Sequence, residues 1–312
     1  MRAVTIRDKE IHVAEHPDPR PGTNEVLVRV RAAGLNGADM MQRRGLYPAP
    51  PGWPADIPGL EIAGEVLENG PGASRFNTGD RVMAIVGGGG QAELSVVHER
   101  LLMPVPEQLD WPQAGGFPEV FATAHDALFT QADLQPGERL LVHGGAGGVG
   151  TAAIQLGTST GARVTATVRN PDNREQVAQL GATVIEPDGF EHHGPFDVIL
   201  ELVGAPNLGA NLDALATNGC LSVIGIAAGA KAELNLAKLM YKRGRIMAST
   251  MRARPLEEKA LMTRGVERHV LPLVEEGKIH VPVAETFSLD DAPTAYERFA
   301  AGGKLGKLVL LP

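Results

Sequence analysis

The sequence predicts an α/β protein built from a doubly wound parallel sheet domain and a β-barrel domain. Three observations carry this expectation: the chain length, a change of texture near residue 117, and a glycine-rich turn between an apolar strand and a helix. At 312 residues the chain is long enough for two domains, each with its own core. Its 38 glycines and 23 prolines beside 43% hydrophobic residues describe a globular chain rich in turns. The barrel domain is expected over 1–116 and 254–312, and the parallel-sheet domain over 117–253.

The first stretch reads as β. Val26, Val28 and Val30 alternate with Leu27, Arg29 and Arg31 after the turn Pro21-Gly22, the period-two pattern of a half-buried strand. Short runs follow at Ile62 to Leu67, Arg81 to Val86 and Ala92 to Val97, separated by Gly-rich corners such as Gly87 to Gly90. That spacing suggests a compact barrel or sandwich. From Phe117 to about Arg254, strands at Leu140 to Val142, Val164 to Val168, Thr183 to Ile185, Val198 to Val203, Leu221 to Ile226 and Ile246 to Thr250 alternate with helical segments. Alternation of this kind predicts a parallel sheet with right-handed crossovers. The tail offers a helix around Leu261 to Glu276, a strand at Val281 to Phe287, a helix from Asp290 to Ala300 and the apolar ending Leu305 to Leu311. It is expected to return to the first domain.

Composition excludes several function classes. With 29 Lys and Arg against 37 Asp and Glu, the formal net charge is -8, so no global field exists to neutralise a phosphate backbone, and nucleic acid is not an expected partner. The single cysteine, Cys220, excludes an intrachain disulfide and a multi-thiolate metal site. It reads as a small core residue at a strand start. Neither a charged and apolar leader nor an apolar run of about 18 residues occurs, so a cytoplasmic protein without a membrane partner is expected. No Gly-x-Ser-x-Gly elbow points to a hydrolase. The pair His192-His193 sits in a polar loop and reads as solvated.

The most informative segment is Leu140-Leu141-Val142-His143-Gly144-Gly145-Ala146-Gly147-Gly148-Val149-Gly150. Gly145, Gly147 and Gly150 fit the G-x-G-x-x-G spacing, between a buried strand and a helix start. Backbone amides without side chains in the way can approach a pyrophosphate, and the helix N-terminus places partial positive charge against it. About 20 residues further on, an Asp or Glu at the end of the second strand would bond the 2′-hydroxyl of NAD. Here the strand ends Thr167-Val168-Arg169, and a guanidinium suits a 2′-phosphate instead. The expected cofactor is NADP(H), with a surface Arg169 paired to Asp172 as the alternative.

Several motifs in order then resemble the medium-chain dehydrogenase/reductase superfamily, in its zinc-free quinone oxidoreductase branch: Gly34 to Tyr47, Gly59-Leu60-Glu61, Gly87 to Ala92, Ala146 to Leu156 and Gly303 to Leu308. The resemblance implies a GroES-like β domain from the two chain ends, a Rossmann domain between them, and NADPH bound in a cleft. It implies Asn36 and Leu60 where zinc-dependent relatives keep Cys and His, hence no metal. It places Asn36 and Tyr47 in the substrate cleft as catalytic candidates, Tyr47 as a donor to a carbonyl oxygen or as a packing aromatic. Asp39, Gln42 and Glu61 are nearby polar residues, and Glu61 is expected as a buried partner of an Arg, with a general acid as the alternative.

The same resemblance implies cofactor contacts from Asn36, Thr123, Gly147, Gly148, Val149, Val203, Gly204, Ile224, Gly225, Ile226, Thr250, Met251, Arg252 and Lys304. The family often carries a Lys near Asn173, so here phosphate binding rests more on Arg169. A small quinone or enone is the implied substrate, and a homodimer through the Rossmann sheet edge at Ile246 to Thr250 the implied assembly. The rival reading is an NADPH-binding structural or redox-sensing protein with little turnover.

Overall fold

A computed structural model describes all 312 residues and divides them into two compact units, Met1–Ala122 with Met251–Pro312, and Thr123–Thr250. In the first unit, β1 (Arg2–Arg7) and β2 (Glu10–Glu15) form an antiparallel hairpin. It turns through Asp8 and Lys9, both at positive φ, as a two-residue hairpin turn requires. The texture expected further on appears as β3 (Glu25–Gly34), β4 (Glu61–Asn69), β5 (Arg81–Ile85) and β6 (Leu94–His98), with a short β7 (Leu102–Pro104). Val26, Val28 and Val30 lie on one buried face with Ile62, Val66, Val82 and Val97, which is the burial that their alternation predicts.

The second unit holds β8 (Arg139–Val142), β9 (Arg163–Thr167), β10 (Thr183–Ile185), β11 (Phe196–Glu201), β12 (Leu215–Val223) and β13 (Arg245–Ala248). They pair in parallel in the order β10-β9-β8-β11-β12-β13, so the chain reverses its direction of travel between β8 and β11. In doubly wound sheets that reversal opens a crevice at the carboxyl ends of the strands. β12 starts earlier than its apolar core suggests, and Cys220 lies inside it, 1% exposed, rather than at its start.

The tail supplies β14 (Val283–Ser288) and β15 (Lys307–Leu311), and β15 pairs antiparallel with β3 through Val309 and Gly34. The division between units falls a few residues later and earlier than the change of texture marks it. The helix Pro118–His125 begins as part of the first unit, tied by the Glu119 amide donating to Glu61 Oε2 at 2.9 Å. Arg252 is likewise bound within the first unit by hydrogen bonds to Gly87, Tyr47 and Gln42. No helix is long and apolar enough to cross a membrane.

Candidate active site

In the second unit, β8 runs through His143 into a turn at Gly144, φ +67°, and the helix Gly148–Thr160 starts behind an extended Gly147. Glycine is needed here for close approach. A Cβ on Gly150 would run into the Gly144 carbonyl and sit 2.9 Å from Gly145 Cα, and one on Gly145 would sit 2.9 Å from Ala166 Cβ. Gly147 differs, because a Cβ there would meet nothing closer than the Gly144 carbonyl at 3.4 Å. The first-turn amides of Gly148, Val149 and Gly150 have no carbonyl four residues back within the helix. The turn is therefore a cradle of main-chain donors that side chains would fill, and the residues present fit a dinucleotide pyrophosphate.

Two buried polar residues that the motif does not mark stand at the carboxyl ends of β8 and β11. Glu201 is 2% exposed, and its Oε1 accepts from the amides of Val203 at 2.6 Å and Gly204 at 2.8 Å. Its Oε2 accepts from Asn211 at 2.7 Å and Asn207 at 3.1 Å. The Glu201 carbonyl accepts from Ile224 and Gly225, so one residue gathers both loops expected beside the cofactor. Gly204 has φ +117°, and a Cβ there would meet Ile226 Cα at 2.9 Å. His143 bridges Thr167 Oγ1 at 3.2 Å and Asn211 Oδ1 at 2.8 Å, and burial holds its pKa below the usual value. The signal for both was a polar residue at the end of an apolar strand.

Arg169 follows β9, is exposed and forms no ion pair with Asp172. Sequence reading missed its neighbour Arg174, whose Nε donates to the Val168 carbonyl at 3.2 Å and whose other arm pairs with Glu186 at 3.0 Å. Asn173 and Thr123 are buried, Ile226 is 43% exposed, and Thr250 is exposed at the end of the unit.

In the first unit, Asn36 precedes the helix Gly37–Arg43 and is locked on every side. Its Nδ2 donates to Glu61 Oε1 at 2.9 Å and to the Gly34 carbonyl at 3.3 Å, and its Oδ1 accepts from Lys307 Nζ at 2.7 Å. Glu61 is indeed a buried partner of a cation, but the cation is Lys307 at 2.6 Å and not an arginine. An ammonium suits the site because it points three donors at three acceptors, the third being the Leu35 carbonyl. Asp39 is fully buried, accepts from the amides of Asn36 and Gly59, and is pushed by desolvation up to about 6.

Tyr47 lies in a bend after that helix, half-buried, and burial raises its pKa above the usual phenol value, which keeps it protonated and able to donate. Arg252, 1% exposed, holds it in place: Nε donates to Gly87 O, Nη1 to Tyr47 O and Nη2 to Gln42 Oε1, each at 2.7 Å. Three of the guanidinium's N–H groups are committed in this way, and Met251 beside it is buried. Lys304 donates to Gly306 O at 2.6 Å over the Phe299 ring, and burial, then Lys307 and Arg298, draw its pKa down to about 7.

Comparison with known proteins agrees with this architecture. Residues 22–107 match the alcohol dehydrogenase GroES-like domain, and residues 148–266 match the zinc-binding dehydrogenase domain. A quinone oxidoreductase of Pseudomonas aeruginosa is 32% identical over 311 residues, covering 96% of this chain and 94% of that protein. The quinone oxidoreductase of Rattus norvegicus is 30% identical, covering 94% and 91%. Among solved structures, a mycobacterial protein complexed with NADPH superposes with a TM-score of 0.90 at 25% identity over the whole of both chains.

The second domain's name carries zinc, but the donor set here does not fit it. Asn36 offers an amide already engaged, Leu60 an alkyl group, Cys220 is buried in β12, and no group of three His, Cys, Asp or Glu could hold a metal ion. With both units matched and quinone oxidoreductases at 30% identity or better along nearly its whole length, the chain belongs to the medium-chain dehydrogenase/reductase superfamily, as an oxidoreductase related to the quinone oxidoreductases.

Proposed function

We propose that the protein is a metal-free, NADPH-dependent reductase of quinones and other activated carbonyl or alkene electrophiles. The observation that carries this reading is the side-chain-free turn before the helix Gly148–Thr160 together with an unpaired Arg169 at the end of β9. Main-chain amides of Gly148 and Val149 would hold the pyrophosphate, with Gly147, whose own amide donates to the Gly144 carbonyl at 2.9 Å, leaving room for its approach. Arg169, with Arg174 tied beside it, would hold the 2′-phosphate. Val203, Gly204, Ile224, Gly225 and Ile226 would line the path beyond, fixed by Glu201.

NADPH bound there supplies the hydride, and a quinone needs in addition one proton, delivered to a carbonyl oxygen, to become a hydroquinone. Tyr47, protonated and braced by Arg252, is the residue that would donate to a substrate oxygen. Asn36 would act by position alone, because both amide hydrogens are already used. That engagement also favours the second reading, an NADPH-binding redox sensor with little turnover.

Stopped-flow oxidation of enzyme-bound NADPH by 1,2- and 1,4-quinones separates the two. Reduction of a quinone to hydroquinone, slowed in Tyr47→Phe, supports the reductase, and binding without oxidation by any quinone or enone supports the sensor. The unpaired outer edge of β13 and the exposed Leu236, Met240 and Tyr241 beside it support a homodimer through this sheet edge.

A further inference from the structure

We propose that a groove on the first unit binds an amphiphilic carboxylate, whose anionic head meets the ammonium of Lys259 while its flat apolar body lies along Trp53. The groove has a volume of about 640 Å³, in the range of small-molecule sites. Its apolar walls are Pro50, Pro51, Trp53, Pro54 and Leu256.

Lys259 projects from the helix Leu256–His269 and is 5% exposed. Its Nζ lies 5.8 Å from the Trp53 ring centroid, and no oxygen of the protein hydrogen-bonds or ion-pairs with it. The other buried cations of this unit are treated differently. Lys307 reaches three oxygen acceptors and Arg252 three more. Burial lowers the pKa of Lys259 most, Glu119 acts on it through space in the opposite sense, and Arg252 reinforces the lowering. An ammonium on a largely buried side chain, set against an aromatic face, influenced by Glu119 only through space and hydrogen-bonded to no carboxylate, is an incomplete ion pair, and an incoming anion completes it.

The remaining charges around the groove agree. Arg20 lines it and has no carboxylate partner, while the one acidic lining residue, Glu25, already accepts from the Gly22 amide at 2.8 Å. The aromatic wall is also built in. A Cβ on Gly87 would fall 2.5 to 2.7 Å from atoms of the Trp53 indole, so glycine is needed there for the ring to seat. Three arginines line the groove, but Arg252 is bonded to three protein oxygens and Arg254 is also partnered, so the Lys259 ammonium, the Arg20 guanidinium and a run of apolar wall face a ligand, and these match a monoanion on an apolar body better than a polyphosphate. None of the lining residues belongs to the glycine turn.

Calorimetric titration of the full-length protein with 2-naphthoate tests the proposal. One-to-one binding is expected, at least tenfold tighter than that of the neutral 2-naphthalenemethanol and unchanged within twofold when NADP⁺ is already present. Lys259→Met should weaken it at least tenfold and Arg20→Gln two- to threefold. Replacing an unpaired buried ammonium with an apolar chain should leave the melting temperature equal or higher, and Lys259→Gln serves as the second variant. Absence of saturable binding at millimolar naphthoate, equal affinity in the folded Lys259 variants, or displacement by NADP⁺ would each overturn the site.

Discussion

Lys307 and Glu61 form an ion pair 2.6 Å long at 3% and 0% side-chain exposure, with Asn36 bonded to both. Removing one member leaves the other buried and uncompensated, which costs about 3–5 kcal/mol, whereas replacing both by apolar groups is close to neutral. Lys307→Met should therefore lower the unfolding free energy by about that amount, and adding Glu61→Leu should restore most of it. Urea titrations of the two variants read this directly, and strictly additive losses would contradict the pairing. The sequence showed Glu61 as a buried acid but not its partner, because 246 positions of chain separate two residues that only the pairing of β15 with β3 brings near.

Asp39 gives a pH signature at the same scale. Its folded pKa, about 6, is raised above the ordinary carboxyl value, so the folded protein holds the proton more tightly than the unfolded chain. Its contribution to stability is therefore greatest below about pH 4 and falls as the pH rises through about 6, by about 3 kcal/mol. Wild-type stability relative to Asp39→Asn should drop across that window. Parallel pH profiles for the two proteins would contradict this assignment.

At the scale of elements, the strands whose apolar residues form continuous or alternating runs were legible, as β3, β4, β8 and β11 show. The hairpin of β1 and β2 was not, because its turn uses Asp8-Lys9 and its second strand, Glu10–Glu15, mixes exposed polar residues with few apolar ones. The helix expected over 261–276 is instead two, Leu256–His269 and Leu271–Glu275, broken where Pro272 removes an amide donor. The glycine turn was the clearest element, since its spacing has a geometric cause. Gly150→Ala puts a methyl group against the Gly144 carbonyl, and a loss of about 1–3 kcal/mol is expected with loss of dinucleotide binding. A variant that keeps wild-type melting and NADPH affinity would show that the close approach is not needed.

At the scale of the whole molecule, a covering partner is expected for the apolar edge of the second unit. Met240 and Tyr241 are 76% and 87% exposed on the helix Leu236–Lys242, next to β12 with β13 at the sheet edge. Replacing both with Lys should convert a dimer to a monomer in sedimentation velocity, while a wild-type monomer at micromolar concentration would remove the dimer from the account. The proposed function rests on the glycine turn as the pyrophosphate site and on Arg169 as the group that would select NADPH over NADH. Calorimetric titration of both reduced cofactors into wild type and Arg169→Ala tests this most directly. One NADPH per chain is expected, bound at least tenfold more tightly than NADH, with the preference lost in the variant through a charged hydrogen-bond contribution of about 1.5–3 kcal/mol. No binding of either cofactor at millimolar concentration, or tighter binding of NADH by the wild type, would contradict it.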